Sequence, residues 1–83
     1  MDAGLREDLE IACLDEMRGD PPGPGLAGRL VRVVRELLMR RGLGSAQVSA
    51  QSDRRGTSVT ILLPTPGKTV QRVVLTLGGS TGP

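Results

Sequence analysis

Cys13 carries the chain's one thiol, and carboxylates surround it in sequence: Glu10, Asp15 and Glu16. A nucleophilic cysteine needs a base or a nearby cation to become a thiolate, and neighbouring acids raise its pKa instead. The chain has no histidine, so an ordinary Ser-His or Cys-His pair cannot form. One cysteine and no histidine also leave no zinc site of the usual kinds. Paired carboxylates occur only in this acidic stretch, where solvated charge explains them better than acid–base chemistry. The glycine-rich stretches match neither a phosphate loop nor a dinucleotide fingerprint. No catalytic, cofactor-binding or metal-binding residue is assigned. The chain is expected not to be an enzyme and to use no cofactor and no small-molecule substrate.

Two further groupings have a chemistry to weigh. Arg18-Gly19-Asp20 matches the integrin-binding tripeptide, but matches of three residues arise readily by chance. The basic side chains are the stronger case. Arg29, Arg32 and Arg40 fall on one helical face, Arg54 and Arg55 sit together in a turn, and Lys68 and Arg72 follow. Together they could line a surface that contacts phosphates, since the guanidinium fork suits that geometry. A small basic nucleic-acid-binding protein is therefore the alternative reading. Against it, the chain has no Phe, Tyr or Trp on which bases could stack. Its helices also lack the short spacing of a helix-turn-helix.

The elements that must position these groups are legible from pattern. Residues 1–20 hold seven acids and two bases, a net of −5, whereas residues 21–83 hold two acids and nine bases, a net of +7. Good helix formers predict a helix over 5–18, with acids in its early turns and Arg18 in its last. Leu5, Leu9, Ala12, Cys13 and Met17 share one thin face, while Ile11 and Leu14 point elsewhere. Residues 19–25 contain three prolines and three glycines, a semi-rigid extended spacer. Either the acidic helix folds back on the basic part of its own chain, or it is an arm for a neighbouring subunit. In the second reading Leu5, Leu9 and Met17 are its apolar anchors, and Glu7, Asp8 and Asp15 face a partner's basic groups.

Residues 26–41 form the most strongly patterned helix. Leu26, Ala27, Leu30, Val31, Val33, Val34, Leu37 and Leu38 make one apolar arc opposite Arg29, Arg32, Arg35, Glu36 and Arg40. Arg32 and Glu36 are spaced as ion-pair partners, Gly42 suits the C′ position, and Met39 falls on the charged side. Strands are predicted over 46–52, 57–63 and 70–77 from apolar alternation and β-branched content. The stretch 53–56 fits a hairpin loop, and 64–67, with Pro66-Gly67 at its centre, fits a second turn. Short loops imply a meander. The expected fold class is α+β: two helices, then a three-stranded antiparallel meander packed on the second helix. Residues 26–77 make up the domain and 78–83 a Gly-rich tail.

The core must be wholly aliphatic, drawn from Leu30, Val33, Val34, Leu37, Leu38, Val48, Val59, Ile61, Leu63, Val73, Leu75 and Leu77. So small a core suggests a domain that is marginal alone and gains from a partner. The far sheet face is less polar than expected. Leu62, Val70 and Val74 stand there among Ser58, Thr60, Arg72 and Thr76, as a second packing surface for the first helix or for a partner. No apolar run reaches membrane-spanning length, and the acidic start lacks a basic-then-apolar signal pattern. A soluble protein made in the cytoplasm is expected.

The helix at 30–41, the strand at 47–51, the run Val59-Thr60-Ile61-Leu62-Leu63-Pro64 and the strand at 70–77 together resemble the small helix-then-meander subunits of contractile phage tails, in baseplate wedges and sheath-terminal domains. The likeness covers over half the chain and is one of layout; the acidic helix and proline spacer lie outside it. It implies a structural subunit of the virion that binds other protein subunits through its sheet edge, arm and tail, with no catalytic residues. Self-association is expected separately, from the aromatic-free core and the apolar residues of the far sheet face.

Overall fold

The computed structural model describes residues 3–19, 21–65, 67 and 69–77. Two helices, α1 (Ala3–Met17) and α2 (Pro24–Arg40), precede three strands, β1 (Gln47–Asp53), β2 (Gly56–Pro64) and β3 (Val70–Leu77). The strands form an antiparallel meander in the order β1-β2-β3. The expected α+β layout is the observed one. The tail, Pro66 and Lys68 lie outside the described residues.

Pro24 is the first residue of α2, so the spacer expected over 19–25 is shorter than its composition suggests. Proline suits a helix start because its fixed φ is already helical and the N–H it lacks would have no partner there. The N–H of Gly23 is instead donated to Ser52 Oγ, 3.2 Å away, and that hydroxyl lies 2.9 Å from Thr57 Oγ1. Thr57 is buried, and this small network ties the start of α2 to the β1–β2 hairpin. At its other end α2 closes as expected. Leu43 N–H bonds to Leu38 O and Gly42 N–H to Met39 O, the paired bonds of a Schellman cap. Gly42 has φ +77 with open space where a Cβ would sit. Gly42→Ala is therefore expected to cost about 1 kcal/mol from backbone conformation alone. In a domain of this size that lowers Tm by about 4–8 °C, measurable by thermal circular dichroism.

The larger departure concerns α1. Leu5, Leu9 and Cys13 are buried and belong to one cluster with Leu26, Leu30, Val34 and Leu38 of α2 and the inward residues of the sheet. Met17 packs against the same cluster. The arm reading is corrected here: in this fold these side chains anchor the helix to its own chain and are not presented to a partner. The connection is short enough to fold the chain into an αα-hairpin. The thin apolar face of α1 is then wide enough, because it fills only the groove between α2 and β3.

Charge follows the same antiparallel arrangement. Asp8, early in α1, pairs with Arg41, just past the end of α2. Glu16, late in α1, lies 3.9 Å from Arg29, early in α2. The charge asymmetry of the sequence is thus met partly within the chain. Both pairs are exposed and contribute at most about 1 kcal/mol each; they select orientation more than they stabilise. Arg6 pairs with Glu10 one turn on at 3.3 Å. Among the described residues no ion pair joins Arg32 to Glu36, and Arg18 lies beyond the last residue of α1.

Both helices cover one face of the sheet, so the core lies between the two layers. Val59, Ile61, Leu63, Val73, Leu75 and Leu77 point into it. Val48 and Ala50, on edge strand β1, are only half-buried. Asp53 Oδ1 accepts from the N–H groups of Arg55 and Gly56, at 2.8 and 3.2 Å, which fixes the β1–β2 turn. Between β2 and β3 the Thr65 hydroxyl and N–H both donate to Thr69 O, and Gly67 has the positive φ expected of it, +96.

Candidate partner-binding surface

With α1 and α2 on one face, no described element covers the other face of the sheet. The register places Leu62 of β2 opposite Arg72 of β3, Thr60 opposite Val74 and Pro64 opposite Val70. Leu62 is thereby flanked diagonally by Val70 and Val74, close enough for side chains on one pleated face to meet. Val70 is 60 % exposed and Val74 40 %, and Leu62 is half-buried. The three residues expected to make a second packing surface are brought together. Helix α1 does not cover them, contrary to the expectation that a helix packed on its own chain would choose that face. It lies with α2 because the inner face offers far more apolar surface.

Around this cluster the face is polar and sparsely charged. Among the described residues β1 contributes Gln47, Ser49, Gln51 and, at its end, Asp53; β2 contributes Ser58 and Thr60, and β3 contributes Thr76 and Arg72. A polar rim around a small aliphatic centre is the anatomy of a modest protein interface. On the opposite side of the molecule Ile11 and Leu14 of α1 are exposed, at 59 and 51 %, as their off-face positions predict. They share a shallow hollow with Asp15 and Arg18.

The seven cations of the alternative reading are dispersed. Arg29, Arg32 and Arg40 lie on the outer side of α2, and Arg29 also faces Glu16. Arg54 and Arg55 occupy the β1–β2 hairpin tip, and Arg72 lies on the far side of the sheet. Lys68 is outside the described residues, so no single surface of described residues collects the set. Of Arg18-Gly19-Asp20, the first two residues are exposed and Asp20 is not described.

Cys13 is fully buried. Burial pushes its thiol up to about 11, with the Glu10 carboxylate adding to the effect. The direction is the one its acidic neighbours predict, and it makes the group a poor nucleophile near neutrality. Among the described residues no cluster of three metal-ligating side chains occurs, and no helix is long and apolar enough to cross a membrane. Compared with family models, curated proteins and solved structures, the chain matches none of them.

Proposed function

We propose that this protein is a non-enzymatic structural or interaction subunit of a larger protein assembly, binding its neighbour through the uncovered sheet face. The observation that carries this is the clustering of Leu62, Val70 and Val74 on a face that neither helix covers. An aliphatic centre with a polar rim gains from burial while leaving few charges to desolvate. The particular assembly favoured is a contractile phage tail or its baseplate, which the helix-then-meander layout supports. The chain would then be made in the cytoplasm and end in the virion.

The test is co-purification from the native source, comparing the unaltered chain with Leu62→Glu and Val74→Glu. Both variants should keep the α+β circular dichroism spectrum, because both positions lie outside the core. Each should retain less than a tenth of the co-purified partner, since a carboxylate in an apolar interface centre costs more than 1.4 kcal/mol. Full retention by both would overturn the assignment of this face. Submicromolar binding of duplex DNA near physiological salt, lost with Arg32→Glu and falling steeply as salt rises, would instead support the nucleic-acid reading.

A further inference from the structure

The two edges of the sheet differ, and the difference points to a partner. On the β3 edge the Arg6 guanidinium of α1 lies 3.5 Å from the Val74 carbonyl oxygen, so that carbonyl faces away from β2. In an antiparallel ladder, residues that bond to the neighbouring strand alternate with residues whose N–H and C=O face outward. The register then carries the alternation across the sheet. Val74 is opposite Thr60, and Thr60 is opposite Ser49. Thr60 must therefore bond to β1, through Ser49. The backbone groups of Val48, Ala50 and Ser52 must face the free edge of β1. Among the described residues no hydrogen bond to these outward groups occurs.

Among the described residues this edge has none of the usual protections against pairing, which are lysine, proline, a bulge or a covering segment. Its seven residues pair with β2 without interruption, and its one charge, Asp53, is at its end. The side chains of Val48, Ala50 and Ser52 are turned toward α2 yet only half-buried. α2 packs over β1, and its outer flank carries Gly28, which has no side chain, the half-buried Val31, and the exposed Arg32 and Arg35.

We propose that β1 pairs antiparallel with β1 of a second copy of this chain, about a two-fold axis at Ala50, joining two three-stranded sheets into one. The sequence of β1 is self-complementary in that register. Ala50 meets Ala50, Val48 meets Ser52, Ser49 meets Gln51, and the Asp53 carboxylate meets Gln47 rather than another acid. The outward residues meet outward residues, so the three pairs exchange about six backbone hydrogen bonds. An isologous contact of this kind closes at two copies and uses up the exposed edge. Both helix layers then lie on one side of the continuous sheet. Both copies of the Leu62 cluster lie on the other, so the dimer would display that surface twice. The pairing goes beyond the reading of the sheet face and does not depend on it.

The experiment is sedimentation equilibrium on the full chain over a range reaching about 1 mM, the weak end of specific association. The unaltered chain should show a monomer–dimer equilibrium. Ser49→Lys with Gln51→Lys sets lysine opposite lysine across the axis while leaving each monomer's core untouched, and should weaken dimerisation by about tenfold or more. Ser49→Glu with Gln51→Glu should do the same. Mixing the two variants should restore dimers, which misfolding of either could not mimic. Ala50→Pro removes an outward N–H without breaking the β1–β2 ladder and should also give monomers. Leu62→Glu should leave dimerisation unchanged, so failure here is separable from failure of the sheet-face reading. A chain that stays monomeric throughout, or lysine and glutamate variants that dimerise as well as the unaltered chain, would overturn the proposal.

Discussion

A chain beginning at Gly25 is expected to lose its cooperative unfolding transition instead of persisting as a free-standing domain over 26–77. Leu5 and Leu9 are 5 and 0 % exposed in the common core, and burying two leucine side chains contributes about 3–6 kcal/mol. Their removal also uncovers the groove between α2 and β3, including Leu75, which is fully buried, and exposes apolar surface of comparable size. Domains of this length hold a net stability of roughly 4–12 kcal/mol, so the truncation removes most or all of it. Thermal circular dichroism on the truncated chain checks the expectation, with Leu9→Ala in the full chain as a graded companion expected to cost about 2–5 kcal/mol. A sharp transition from the truncated chain, with helix and sheet signals intact, would restore α1 to the role of a detachable arm.

That outcome reverses what composition suggests, and the reason lies in what periodicity can express. The apolar arc of α2 is broad, and the alternation of 70–77 is clean, so both elements and their inward faces could be read directly. The face of α1 holds only Leu5, Leu9, Ala12, Cys13 and Met17 over four turns, among many acids, and such a stripe looks too thin to be core. Its adequacy depends on the width of the groove it enters, which is a property of α2 and β3 together. Proline content misled in a related way. Pro24 counts toward a linker by composition but starts a helix by conformation, and the change brings α1 close enough to dock.

The candidate surface was legible in its membership and not in its setting. Leu62, Val70 and Val74 follow from strand parity alone, because residues two apart share a face. Whether a helix covers that face is a question of which side offers more burial, and no local pattern answers it. The outward-facing edge of β1 was less legible still. It follows from a register and from one guanidinium–carbonyl contact, Arg6 to Val74, between residues far apart in sequence.

Raising the pH from 8 to 11 is expected to destabilise the protein through one side chain, the Cys13 thiol. In the folded chain burial raises its pKa from 9.0 to about 11. An unfolded chain returns it to its ordinary value. The neutral thiol is the form the fold prefers, so its contribution is fully present below pH 9. It is lost progressively between pH 9 and about 11, as the unfolded state releases a proton that the folded state keeps. Two pKa units correspond to about 2.7 kcal/mol, an appreciable part of the stability of so small a domain. The sequence simplifies this window, because the chain has no tyrosine and Lys68 is its only lysine, and an α-amino group, with a pKa of about 8, has mostly titrated by pH 9. Urea unfolding at intervals from pH 8 to 11 should show stability falling by about 1.4 kcal/mol per pH unit at the steepest point. Cys13→Ala should start less stable at pH 8 and lose the slope, while Lys68→Arg should keep it. A flat profile for the unaltered chain, or an unchanged slope in Cys13→Ala, would mean that the thiol is not held neutral by the core that Leu5, Leu9 and α2 build around it.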